Sequence, residues 1–207
     1  MEAAYYEIDS TGWAACRLCP HHCHIAQGHR GRCQTRYYDG RNLQALNYGQ
    51  CTAIALDPIE KKPLYRFHPD SAILSLGSWG CNFTCPFCQN WQISQQEAPF
   101  RELTPEQALA LARHYRADGS IGLAYTYNEP TLGYEFIIQT ARLVHEAGLV
   151  NVMVSNGYIA KKNRSRPCFP ISTPGTSTSR DFPRTSTSPS AEHLSSPCWT
   201  RLKRPLP

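Results

Sequence analysis

The eight residues Cys81-Asn82-Phe83-Thr84-Cys85-Pro86-Phe87-Cys88 constrain this chain more than any other stretch. Three thiols spaced C-x3-C-x2-C follow a short apolar run, Ala72–Leu76, and two glycines, Gly77 and Gly80. Thiolates are soft ligands, and several on one tight loop suit an iron–sulfur cluster or zinc. The count of three matters. A cubane cluster has four irons, so three protein thiolates leave one iron open to another molecule. The fold must therefore present this loop at the end of a buried strand.

A second cysteine set lies upstream: Cys16, Cys19 and Cys23 within Cys16-Arg17-Leu18-Cys19-Pro20-His21-His22-Cys23, then Cys33 after Gly28 and Gly31. Four thiolates at C-x2-C-x3-C-x9-C can close a tetrahedral zinc site or hold a second cluster. His21, His22, His24 and His29 are candidate substitutes, but they read better as surface histidines beside a knuckle. Cys51 stands alone among apolar neighbours and reads as a small buried residue. The chain has ten cysteines. Met1-Glu2-Ala3-Ala4-Tyr5-Tyr6 has neither a basic start nor an apolar core of a signal peptide, and no apolar run approaches the ~18 residues that span a bilayer. The expectation is a cytoplasmic protein, away from membranes, with metal-binding rather than disulfide-bonded cysteines.

From Tyr37 to Pro69 short strands and turns are expected, with a hairpin at Asp39-Gly40 and a connecting loop over Asp57–Tyr65. A regular βα rhythm follows. Ala72–Leu76 is a strand. Thr104-Pro105-Glu106-Gln107 starts a helix, with Thr as cap, Pro in the first turn and Gln three residues on. Asp118-Gly119 stops it. Ile121–Tyr127 is the next strand and ends in Asn128-Glu129-Pro130. Thr131 is expected to cap a second helix, in which Phe136, Ile137, Thr140, Leu143 and Val144 recur at helical spacing until Gly148. Val150–Ser155 is a third strand, closed by Asn156-Gly157. Alternating strands and helices imply an α/β fold with a parallel sheet and right-handed crossovers. Ligands in such sheets bind beyond the strands' C-terminal ends. The cysteine loop, Asn128-Glu129 and Ser155-Asn156 should then face one site.

CNFTCPFC after a first strand resembles the cluster motif of radical S-adenosylmethionine (SAM) enzymes. LDPIEKKPLY, GCNFTCPFCQNWQIS, TYNEPT and SNGY, with CRLCPHHC and GHRGRC upstream, resemble the radical SAM enzyme of the AmmeMemoRadiSam system. That group is similar to pyruvate formate-lyase activating enzymes. The resemblance runs over roughly residues 13–160. It implies a partial (β/α) barrel in which Cys81, Cys85 and Cys88 hold a [4Fe–4S] cluster whose fourth iron is chelated by SAM. Phe87 would lie near the adenine. Asn128 and Glu129 stand where relatives carry a Gly-Gly-Glu-type motif for the SAM amino group, and a carboxylate suits an ammonium. The implied reaction is reductive cleavage of SAM to methionine and a 5′-deoxyadenosyl radical that abstracts hydrogen from a substrate, with a flavodoxin- or ferredoxin-type electron donor.

The last stretch has a different character. Of residues 163–207, 15 are Ser or Thr and eight are Pro, and no helical or strand period survives. Composition alone reads as a disordered tail. An out-of-frame translation explains it better. Codons for the peptide DAWNIDLKG, read one base later, give Thr173 through Asp181; VLDAIEAAL likewise gives Cys198 through Pro205, and ALLPYLD gives Pro167 through Ser172. Cys198-Trp199-Thr200 can hide only Leu-Asp across its tryptophan codon. A frameshift near residues 158–165 is therefore expected, which removes Cys168 and Cys198 as ligands. The net charge of +5 also lies wholly in this tail, since residues 1–162 carry 14 basic and 14 acidic side chains. No nucleic-acid partner is expected.

Three divisions follow: a Cys-rich extension and connecting region over 1–70, the first half of a radical SAM barrel (about three βα units) over 71–160, and the tail over 161–207. A radical SAM oxidoreductase, shortened and poorly active, is the leading reading, its substrate unidentified and in one reading a protein. The alternatives are a glycyl-radical-enzyme activase and a non-catalytic zinc or iron–sulfur module. No Ser/His/Asp constellation or P-loop appears.

Overall fold

The computed structural model describes residues 1–64, 66–160 and 177–179. The chain begins with a small antiparallel sheet of β1 (Tyr6–Ile8), β2 (Ala14–Cys16) and β3 (His24–Ile25). A hairpin of β4 (Arg36–Tyr38) and β5 (Leu43–Ala45) follows. Its turn falls at Asp39-Gly40, as the dipeptide predicts: Gly40 has φ +98°, and the Asp39 carboxylate accepts from the Arg41 and Asn42 amides at 2.8 and 2.7 Å.

After β6 (Gln50–Cys51), strand β7 (Ala53–Pro58) runs antiparallel to β8 (Ala72–Gly77). The main sheet thus begins before residue 70, and the first two residues of the expected connecting loop belong to β7. Short helix α1 (Trp91–Ser94) and β9 (Arg101–Glu102) follow the cysteine loop, β9 pairing with β6. Then come α2 (Pro105–His114), β10 (Ser120–Tyr125), α3 (Tyr134–Glu146) and β11 (Val150–Ser155). The capping box forms as read: Thr104 Oγ1 accepts from the Gln107 amide at 3.2 Å, and Gln107 Oε1 accepts from the Thr104 amide at 2.9 Å. Gly119, at φ +83°, ends the 3-10 turn that extends α2.

The five-stranded sheet has the order β12-β11-β10-β8-β7, where β12 is Ser177–Ser179. β8, β10, β11 and β12 are parallel. A fourth parallel strand therefore stands beside β11, where three were expected. The sheet offers β11's outer row of peptide groups, and pairing satisfies them. Other expectations for 161–207 lie outside the described residues. Among the described residues the sheet does not close into a barrel.

Alternation along β8, β10 and β11 sorts side chains to two faces. Leu74, Leu76, Leu123, Tyr125 and Met153 pack with Ala108, Ala112, Ile137, Ala141 and Val144 of α2 and α3. Ile73, Ala124 and Val152 pack with Ile59 on the opposite face. Leu74 and Leu123 are fully buried, each contributing about 1.5–3 kcal/mol. The N-terminal extension docks through a buried ion pair. The Arg36 guanidinium meets the Glu135 carboxylate of α3 at 3.1 Å, and the Ala4 amide donates to Glu135 Oε1 at 2.7 Å.

Candidate functional site

The cysteine loop leaves the C-terminal end of β8 through Ser78-Trp79-Gly80. Gly80 has φ +91°, and a Cβ there would collide with Thr35 Cγ2, so glycine alone lets the loop pass the extension. Asn128, beyond β10, clamps the same turn: its Oδ1 accepts from the Ser78 amide and its Nδ2 donates to Gly80 O, both at 3.1 Å. Within the loop, the Cys88 amide donates to Cys85 O at 3.1 Å and the Phe83 amide to Cys81 Sγ at 3.4 Å. All three thiols are partly exposed. Burial pushes the Cys81 thiol up to about 12 and raises Cys85 as well. At Cys81 and Cys85 burial thus favours the thiol over the thiolate, and metal binding would displace those protons. Phe87 is 66% exposed beside Cys88, a large apolar ring on the rim of the loop.

Glu129 is not the surface residue that a strand-end glutamate usually is. It is 2% exposed. Its Oε1 accepts from the Thr131 amide (3.0 Å), Thr131 Oγ1 (2.7 Å) and Ser155 Oγ (2.8 Å), and its Oε2 from the Asn156 amide (2.8 Å). Thr131 thus does not cap a helix with its side chain; it donates to Glu129, which caps a 3-10 turn ahead of α3. The carboxylate ties the ends of β10 and β11 together. Burial holds its pKa above the usual carboxylate range despite these donors. An arriving ammonium group would favour the anion, and Oε2, with one donor, keeps acceptor capacity for it.

Asn82 and Asn156 form a pair that the sequence did not single out. Asn82 is 1% exposed; its Oδ1 accepts from Asn156 Nδ2 at 2.8 Å and its Nδ2 donates to Tyr158 O at 2.9 Å. His21 Nε2 lies 2.8 Å from Asn82 O, and the Tyr158 ring stands 5.0 Å from both the His21 and Phe83 rings. His21 is therefore more than a surface histidine, since it joins the N-terminal knuckle to the cysteine loop. His22, His24 and His29 are exposed. The cysteine loop, the end of β10 and the end of β11 do converge, as the βα rhythm predicts. Each asparagine had a local signal: Asn156 sits one residue beyond the end of β11, and Asn82 directly follows the first loop cysteine.

Tyr127 adopts φ +73° at the end of β10, a conformation that disfavours any side chain. Its ring fills space that a Cβ on Gly77 would contest at 2.8 Å, and its hydroxyl donates to Asp57 Oδ2 at 2.6 Å. Buried Lys62 donates to the same oxygen at 2.8 Å. Burial alone would raise the Asp57 carboxyl, but Lys62, Tyr127 and Lys61 hold it well below the usual range. Asp57 and Lys62 of LDPIEKKPLY are thus tied to Tyr127, which leads directly into Asn128 and Glu129.

Cys16, Cys19, Cys23 and Cys33 line one small cavity together with Leu18, Ile25, Arg36 and Leu132. Burial pushes Cys16 up to about 11 and Cys19 up to about 12. Among the described residues no three His, Cys, Asp or Glu side chains are grouped so as to hold a single metal ion. A second cavity lies on the helix-covered side, against Leu76, Tyr125 and Phe136, and the cysteine that lines it is Cys51. Among the described residues no helix is long and apolar enough to cross a membrane.

Comparison with known proteins agrees with this geometry. Residues 78–167 match the model of the Radical SAM superfamily. The chain is also 45% identical over 164 residues to "Uncharacterized protein MJ0808" of Methanocaldococcus jannaschii, covering 78% of this chain. It spans about half the length, 48%, of that relative.

Proposed function

We propose that this chain carries the first part of a radical SAM oxidoreductase. The observation that carries the reading is the convergence of three partly exposed thiols on one loop with a buried carboxylate from the next strand, inside the matched superfamily segment. Cys81, Cys85 and Cys88 would hold a [4Fe–4S] cluster. When bound, that cluster supplies one low-potential electron, received from a flavodoxin- or ferredoxin-type donor, for cleavage of SAM to methionine and a 5′-deoxyadenosyl radical that takes hydrogen from a substrate.

The chain's own residues do the positioning. Gly80 and Asn128 set the course of the loop, and Asn82 locks it to Asn156. Glu129 Oε2, which accepts one amide, would receive the SAM ammonium group, and exposed Phe87 would give the adenine an apolar face to cover. Tyr127 and Lys62, anchored on Asp57, wall the sheet's inner face. An AmmeMemoRadiSam-type enzyme is the subtype favoured by the strings around the site, with a partial barrel as its fold. A glycyl-radical-enzyme activase, acting on a protein, is the second reading, because the motif is shared.

We further infer that the chain leaves its proper frame near residues 158–165. The superfamily match stops at 167. Strand β12 falls on Ser177–Ser179, where the alternative frame reads Ile-Asp-Leu, an apolar–polar–apolar triplet suited to that slot. The chain as given should be poorly active. The test is 5′-deoxyadenosine formation after anaerobic reconstitution, for this chain and for one with the frame restored. Product from the restored chain, and little from this one, is expected. No product from the restored chain defeats the enzyme reading; ready turnover by this chain defeats the frameshift reading.

A further inference from the structure

The N-terminal cysteine cavity is the best-built feature that the proposed reaction does not use. Its four thiols come from β2, the turn after it, the approach to β3 and the turn before β4. Cys16, Cys19 and Cys33 are buried, and Cys23 is partly so. The Cys16 amide donates to Cys23 O at 2.9 Å, which brings the two arms of the knuckle together. Leu18, Ile25 and Leu132 give the cavity apolar walls.

One wall carries an orphan. Arg36 has a side chain 1% exposed, and its two terminal nitrogens meet Glu135. Its Nε–H has no partner among the described residues. A buried donor without an acceptor costs about 1–3 kcal/mol, so a native structure rarely leaves one without cause. A sulfur-rich anionic group in the cavity would supply the acceptor.

We propose that Cys16, Cys19, Cys23 and Cys33 bind a second iron–sulfur centre, closed by four thiolates, with the Arg36 Nε–H directed at it. The four thiols line one cavity, and four thiolates suffice to close a cluster. The site also abuts the cysteine loop: Cys33 O lies 3.0 Å from where a Gly80 Cβ would stand, and His21 bonds to Asn82 O. Four thiolates leave no open iron, so this centre would not bind SAM. The inference does not depend on the first centre.

The test uses the full chain, reconstituted anaerobically with iron and sulfide and desalted. The variant carrying Cys81→Ser, Cys85→Ser and Cys88→Ser changes only partly exposed loop residues. It should keep iron and acid-labile sulfide at about one to one, a brown chromophore, and a reduced electron paramagnetic resonance (EPR) signal that SAM leaves unmoved. The variant carrying Cys16→Ser, Cys19→Ser, Cys23→Ser and Cys33→Ser should lose that signal and keep the SAM-responsive one. A loop variant that is colourless with zinc, or metal-free, overturns the second centre while leaving the first intact. Wild-type protein whose only cluster ignores SAM overturns the proposed function instead.

Discussion

Two cysteine sets sit side by side in this molecule and differ in almost every physical respect. Cys81, Cys85 and Cys88 lie on a loop, partly exposed, with one ligand fewer than a cubane needs. The N-terminal four line an apolar cavity, mostly buried, with a full complement of thiols and a cationic wall. The open set stands at the C-terminal end of a parallel strand, where this sheet type gathers ligands. The closed set stands in a small antiparallel layer, packed into a buried cluster with Leu18, Ile25, Tyr38 and Leu43. On the proposed reading, ligand count and enclosure, more than cysteine content, separate a site that reacts from one that holds.

That contrast can be broken from either side. The largest effect is expected at Arg36. Removing one partner of a buried ion pair leaves the other charge uncompensated, at about 3–5 kcal/mol. Arg36→Ala should therefore lower the urea midpoint substantially and reduce iron retained by the closed set, while the loop cysteines keep theirs. Equal loss at both sets would erase the distinction. A smaller effect falls on the open side. Glu129→Gln places an amide donor against the Asn156 amide or the Ser155 hydroxyl, costing about 1–3 kcal/mol, and removes the charge that faces an ammonium. Cluster content should persist while the SAM-induced spectral change weakens at least tenfold in apparent affinity. An undiminished response would confine Glu129 to tying strand ends.

Much of the fold was legible because its signals are local. The capping box at Thr104 and Gln107, the hairpin at Asp39-Gly40 and the bounds of β11 follow from a few neighbouring residues. The cysteine loop was legible for the same reason, since its spacing is its chemistry. What stayed hidden is long-range. Glu129 becomes a buried knot only because β10 and β11 are neighbours, and Thr131 changes role with it. Arg36 and Glu135 are 99 residues apart, and nothing near either announces a partner. Tyr127 holds a backbone angle suited to glycine because its hydroxyl reaches Asp57, a contact no local pattern encodes. The domain boundary near residue 70 follows composition, whereas β7 joins the sheet by hydrogen bonding.

The open iron is the centre of the account, and one measurement addresses it. Reconstituted wild-type protein is reduced anaerobically, and its EPR spectrum is recorded with and without SAM. A cluster signal whose shape changes on adding SAM, and whose SAM-sensitive part disappears in the Cys81→Ser, Cys85→Ser, Cys88→Ser variant, is the predicted result. A spectrum that SAM leaves unchanged, or a SAM-sensitive signal that survives in that variant, would contradict it.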